Sequence, residues 1–187
     1  MKENLEIEVK LACDDLGRLT RAGFDLTPRK PRHFEDNWLL DDDRQTLFKV
    51  GAALRIRSVE ESGWLTYKGV SQETAASLLK VREEIETSVG DPEKLAALFE
   101  RLGYHRAFRY QKYRTTYAIH LDGATLEVAF DETPMGNFIE IEGDEDRVLG
   151  ILDRAGFTAA DSIRESYPEI QAARCRARGV PLEDLIF

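Results

Sequence analysis

The sequence predicts an α+β fold of eight strands and four helices, and three observations carry that prediction. Residues 5–11 alternate strictly, with Glu6, Glu8 and Lys10 on one face and Ile7, Val9 and Leu11 on the other, the period of a half-buried strand. Similar alternation returns along the chain in runs separated by Gly, Pro and Asp turn residues. Between and after these runs lie helix signals, the clearest of them opening at Asp91-Pro92.

Taken in order, residues 5–11 form the first strand, and Asp14-Asp15-Leu16 through Gly23 read as a short helix with acidic residues in its first turn. A proline-containing loop is expected at Pro28 and Pro31. The strand over 32–41 (RHFEDNWLLD) is closed by Asp41-Asp42-Asp43. Gly51 then punctuates entry to a strand over 52–60, where Arg55 and Arg57 oppose Leu54 and Ile56. After Ser62-Gly63, the run WLTYKG sets Thr66 and Lys68 in register. Residues 71–79 carry no assignable period. Residues 80–89 read as a strand with Arg82, Glu84 and Glu86 together.

A helix follows, with Asp91 as N-cap, Leu95, Leu98, Phe99 and Leu102 as its apolar stripe and Gly103 as its stop. Residues 108–120 form a long strand carrying Lys112 and Arg114, and Leu121-Asp122-Gly123 turns it into 124–133, which carries Glu127 and Asp131. Past Pro134 and Gly136, NFIEIEG repeats the Glu-x-Glu of the first strand as Glu140 and Glu142. Helices are expected over 147–155 and 160–178, the second kinked or broken at Pro168, and the tail PLEDLIF has no assignment.

At 187 residues and 42% apolar content, residues 1–187 are expected to form a single domain. No apolar run approaches the roughly 18 residues of a membrane span, and Met1-Lys2-Glu3-Asn4 lacks a signal segment, so the expected location is cytoplasmic. Cys13 and Cys175 have neither zinc-site nor disulfide-framework spacing. A net charge of −9 argues against nucleic acid or an anionic membrane as partner, but not against a small anion met by locally focused cations.

Collected, the charged faces hold Lys10, Arg55, Arg57, Lys68, Arg82, Lys112 and Arg114 against Glu6, Glu8, Glu84, Glu86, Glu127, Asp131, Glu140 and Glu142. Two arrangements fit: a sheet with a charged outer face, or a closed barrel with a charged lumen. A lumen of ions is costly unless its charges are paired or bind something ionic. Residues two apart on a strand have Cα atoms about 6.5 Å apart, so Glu6 and Glu8 can converge on one hard cation. The face totals −1, and two divalent cations bring it to +3, near balance with a triphosphate of about −4 to −5.

Glu6-x-Glu8-x-Lys10, Leu-Arg-Ile-Arg at 54–57, Thr-Tyr-Lys-Gly at 66–69, Arg82-x-Glu84-x-Glu86, Lys112-x-Arg114 and Glu140-x-Glu142 together resemble the CYTH superfamily of triphosphate tunnel metalloenzymes. The resemblance spans nearly the whole chain. It implies an eight-stranded antiparallel closed β-barrel with flanking helices, a triphosphate-containing small molecule in the tunnel, and Mg²⁺ or Mn²⁺ as cofactor. By the same resemblance Glu6, Glu8, Asp131, Glu140 and Glu142 are the metal-binding acids. Lys10, Arg55, Arg57, Lys68 and Arg114 are the triphosphate-binding cations, with Arg82 and Lys112 as further participants.

Trp38 stands where many relatives carry a tyrosine thought to act with the motif lysine. Lys10 is therefore expected to clamp a phosphoryl oxygen, with water activation left to metal and a lumen carboxylate such as Glu8. Trp38 and Trp64 are expected to pack, Trp38 lying within reach of a nucleobase, and His33, His105 and His120 to be turn or surface residues. Arg164 matches a basic residue that reaches the tunnel mouth in some relatives, and a solvated helix position explains it equally. The expected activity is hydrolysis of inorganic or small organic triphosphates. Its alternatives are a class IV adenylyl cyclase making cyclic AMP and pyrophosphate, and a non-catalytic polyphosphate or nucleotide sensor.

Overall fold

The computed structural model describes residues 4–60, 62–72 and 78–187. Eight strands close into an antiparallel barrel: β1 (Leu5–Ala12), β2 (Thr27–Asp41), β3 (Ala53–Val59), β4 (Ser62–Lys68), β5 (Lys80–Val89), β6 (His105–Leu121), β7 (Ala124–Thr133) and β8 (Gly136–Glu142). Around the wall the order is β1-β5-β4-β3-β2-β6-β7-β8, and closure comes from β1 pairing with both β5 and β8. Among the described residues, five helices accompany them: α1 (Gly17–Arg21), α2 (Thr46–Val50), α3 (Pro92–Arg101), α4 (Glu145–Arg154) and α5 (Tyr167–Arg178).

Alternation along the strands turns the molecule inside out. Val9, Leu11, Ile119, Leu126, Val128, Ile139 and Ile141 face outward, where Leu19 of α1 and Val148, Ile151 and Leu152 of α4 bury them. The main apolar core therefore lies between barrel wall and helices, and the charged side chains point into the lumen. Each α4 side chain fully buried there contributes about 1.5–3 kcal/mol. Asp91 caps α3 by accepting from the Lys94 N–H at 2.9 Å, a contact worth about 1 kcal/mol, and Ala96 of that helix packs on Leu40 and Ile56. Among the described residues, no helix is long and apolar enough to cross a membrane.

Several elements depart from the sequence reading. Pro28 and Pro31 lie inside β2, not in a loop, and the β2–β6 pairing shifts register between Pro28 and Lys30 and again between Lys30 and His33. Proline has no N–H for the ladder, so the strand continues only by bulging at these positions. The last helix begins at Tyr167 instead of residue 160. Pro168 sits in its first turn, where no N–H is required, and Glu169 accepts from the Ser166 N–H at 2.7 Å.

Helix α2 was not foreseen, because five residues hold too little period to read. The Asp triplet makes it: Asp41 accepts from Leu47 and Phe48 N–H groups and Asp42 from Thr46, at 2.9–3.0 Å. In the tail, Leu185 exchanges main-chain hydrogen bonds with Arg109 and Gln111 on β6 and is buried against Phe108 and Tyr110. Of the unassigned segment 71–79, residues 73–77 lie outside the described residues.

Candidate functional site

The lumen holds a cavity of about 760 Å³ whose walls are the inward rows of all the strands and whose one end is crossed by residues 164–169. Every cation that the alternation assigned to this face reaches a carboxylate. Lys68 lies 2.9 Å from Glu6 and 2.5 Å from Glu84, and Arg82 bridges Glu6 and Glu8 at 3.0 Å each. Arg57 meets Glu86 at 3.0 Å and Glu35 at 3.5 Å, while Arg55 meets Glu86 at 3.4 Å and the Tyr110 hydroxyl at 3.3 Å.

A second cluster is built on Asp131. Its carboxylate, wholly inaccessible, accepts from Lys112 at 2.8 Å, from Arg114 at 2.6 Å and from the Tyr167 hydroxyl at 2.7 Å. Arg114 continues to Glu140, and Lys10 Nζ stands 3.5 Å from the same glutamate. Burial works against ionising Glu140, yet Arg114, Lys112, Lys10 and Lys68 hold its pKa well below the usual carboxylate range. Glu35 behaves alike: burial is outweighed by Lys112, by a hydrogen bond from His33, and by Arg114 and Arg57.

The acids form a row of their own. Glu8 on β1 is the register partner of Glu142 on β8, and Glu142 is also the partner of Glu127 on β7. Directly opposed carboxylates repel across a ladder. Glu142 is solvent-accessible at the rim. Desolvation by the tunnel walls, with Glu6, Glu127, Glu8 and Glu84 nearby, nevertheless pushes its pKa up to about 7. This surplus of oxygen donors and negative charge fits a hard divalent cation. Among the described residues, no three acidic, His or Cys side chains are yet drawn to ligand spacing.

The CYTH domain model matches residues 4–165. The chain belongs to the CYTH family. It is 28% identical over 182 residues to a Methanocaldococcus jannaschii protein provisionally named an adenylate cyclase, covering 89% of this chain and 98% of that one. A Vibrio parahaemolyticus structure, also provisionally named an adenylate cyclase, shares the fold with TM-score 0.71 at 18% identity over 90% of this chain and 98% of that one. A Hippeastrum protein described as a provisional adenylyl cyclase with a dominant triphosphatase activity matches with TM-score 0.60 at 21% identity, over 95% and 97% of the two chains.

Within this CYTH barrel, Glu6, Glu8, Lys10, Arg55, Arg57, Lys68, Arg82, Lys112, Arg114, Glu140 and Glu142 all line the cavity. Asp131 shares the inward row of β7 with Glu127 but is buried beneath its three donors, Lys112, Arg114 and Tyr167, while Glu127, not among the expected metal acids, stands opposite Glu142. Trp38 does not face the lumen: Arg106 and Arg109 flank its ring at 4.6 and 5.0 Å, on the outer side of β2. His33, read as a surface residue, lines the cavity 3.3 Å from Glu35, which raises its pKa despite burial. His105 and His120 stay peripheral, on Asp43 and Thr125.

The tyrosine beside Lys10 comes from an unforeseen place. Tyr167, at the start of α5, puts its ring 4.2 Å from Lys10 Nζ and 5.5 Å from Lys112 Nζ. The sequence placed Tyr167 inside the expected helix over 160–178, where nothing signals a lumen residue. Glu35, Tyr110 and Lys80 also line the cavity and were missed.

Proposed function

We propose that the chain hydrolyses inorganic or small organic triphosphates held in the barrel lumen, in a reaction dependent on Mg²⁺ or Mn²⁺. The observation that carries this reading is the two-sided lumen, in which paired cations share one cavity with the directly opposed glutamates Glu8, Glu142 and Glu127. Phosphoryl oxygens would replace carboxylates on Arg55, Arg57, Lys68 and Arg82 and add to the Asp131 pairing of Lys112 and Arg114, keeping each cation charge-paired throughout. Glu8, Glu142 and Glu127, with Glu6 two residues along, would hold the metal, while Glu140, expected among the metal acids, is paired with Arg114 and Lys10. When bound, a divalent ion polarises phosphoryl oxygens and neutralises charge developing in transfer.

Lys10 acts as a clamp. Its ammonium donates to the Glu165 carbonyl at 3.2 Å, faces Glu140 at 3.5 Å and sits over the Tyr167 ring, and all three partners suit a cation. The proton of the attacking water passes to a lumen carboxylate of the Glu8–Glu142 pair, beside the metal. Asp131 acts as a positioning residue that fixes Lys112 and Arg114 in the wall.

Hydrolysis is favoured over cyclisation by where the apolar lining falls. Leu39, Phe48 and Val70 lie at one end of the barrel, where β2, β3 and β4 meet α2, and Phe48 and Val70 are 54% and 55% exposed. Among the described residues that is an open shelf, without the enclosure that aiming a ribose 3′-hydroxyl at the α-phosphorus requires. The shelf does support the adenylyl cyclase alternative to this extent: an organic group has apolar surface to rest on. The test supplies tripolyphosphate, thiamine triphosphate and ATP with Mg²⁺ or Mn²⁺ and follows phosphate, pyrophosphate and cyclic AMP separately. Phosphate release supports the proposal; cyclic AMP with pyrophosphate would replace it, and binding without turnover would make the chain a sensor.

A further inference from the structure

Lys80 opens β5 on its inward row, as the register partner of Glu8, and lines the cavity. It differs from the seven cations described above. Among the described residues it has no carboxylate within 4.0 Å, and its ammonium donates instead to the main-chain carbonyl of Arg164 at 3.2 Å. Lys10 donates to the next carbonyl, that of Glu165, also at 3.2 Å. The strap carrying both carbonyls is fixed to β1, because Ile163 N–H donates to the Lys10 carbonyl at 2.8 Å and Ser162 bridges to Leu11. Two lysines thus converge beneath one strap at one end of the tunnel.

An ammonium has three donors and no acceptor, so a single neutral carbonyl leaves Lys80 with unused capacity for an anion. Arg82 and Lys10 crowd it with like charge: burial and these two cations lower its pKa from the ordinary lysine value, against Glu8 and Glu169, which raise it. An anion placed between Lys80 and Lys10 would relieve that repulsion and gain charge-assisted hydrogen bonds from both.

We infer that Lys80 is a substrate-gripping residue, forming with Lys10 a two-lysine seat for a phosphoryl group beneath the 164–169 strap. The inference rests on the triphosphate reading and adds to it a contact on β5 beyond the Arg82, Glu84 and Glu86 row. The charge of Lys80 is what the seat requires, so arginine should serve and glutamine should not.

The test measures tripolyphosphate binding by calorimetry, and thermal unfolding with and without tripolyphosphate, for the native chain, Lys80→Gln and Lys80→Arg. Expected are a loss of about 10-fold or more in affinity for Lys80→Gln, recovery in Lys80→Arg, and a melting temperature of ligand-free Lys80→Gln that holds or rises. Affinity in Lys80→Gln equal to that of the native chain would overturn the seat, as would equal weakening in both variants. A native chain that fails to bind tripolyphosphate at all would overturn the functional reading itself, and the seat with it.

Discussion

Asp131 and Lys112 form an ion pair of 2.8 Å between two side chains that solvent does not reach, one 0% and the other 2% accessible. Removing one partner from such a pair strands a buried charge, at a cost of about 3–5 kcal/mol. Asp131→Ala should therefore be strongly destabilised in denaturant titration. Asp131→Asn, which keeps the shape and an acceptor oxygen, should lose less stability and still bind Mn²⁺ through the Glu8–Glu142–Glu127 row. A variant of normal stability that has lost Mn²⁺ affinity would return Asp131 to the metal ligands.

Tyr167→Phe separates the two tasks of that tyrosine. The hydroxyl donated to Asp131 at 2.7 Å is lost, while the ring under Lys10 remains. A hydrogen bond to a charged group contributes about 1.5–3 kcal/mol, so stability should fall by that order with the Lys10 clamp intact. A large fall in turnover at unchanged stability would show that the hydroxyl takes part in the chemistry.

Glu142 makes a prediction with a definite sign. Its pKa stands at about 7 against an ordinary 4.5, so between those values the folded chain holds a proton that the unfolded chain has released. Its contribution to stability is therefore full below about 4.5 and is lost as pH rises through about 7. Glu142→Gln should flatten that part of the melting-temperature profile. Over the same window, protons compete with Mg²⁺ or Mn²⁺ for the acid row, so apparent metal affinity should increase with pH in the native chain. Affinity independent of pH across this window would mean that Glu142 is not in the metal's reach.

How much of this was legible follows from what a period can encode. Alternation states which side chains share a wall, and the placement of Glu6, Glu8, Arg55, Arg57, Lys112, Arg114, Glu140 and Glu142 in the cavity bears it out. Depth is not encoded, so Asp131 could share the parity of Glu127 and yet lie buried beneath Lys112, Arg114 and Tyr167. Register is not encoded either. That Glu127 meets Glu142 and Glu142 meets Glu8 depends on how three strands slide, and only the closed barrel sets it. Tyr167 reaches Asp131 across 36 residues and from a helix, where no strand pattern points into a lumen. Trp38 packs, as expected of it, between Arg106 and Arg109, but on the outer side of β2, away from any nucleobase in the lumen.

Lys10 decides the mechanism, because its charge and its capacity to take a proton can be separated by substitution. The ammonium stands among Glu140, the Glu165 carbonyl and the Tyr167 ring, each of which attracts a cation. Those partners favour a group that grips a phosphoryl oxygen over one that must lose its proton to attack water. Arginine keeps the charge, can lie over the same ring, and cannot act as a base at neutral pH. Lys10→Arg should thus retain substantial turnover, while Lys10→Ala should lose about 100-fold or more, the scale of one electrostatic contact made in the transition state. Measuring kcat and KM for both variants, with tripolyphosphate affinity measured separately, distinguishes the roles. Near-complete loss in both, with metal and substrate still bound, would mean that Lys10 takes the proton and that the Glu8–Glu142 pair only holds the metal.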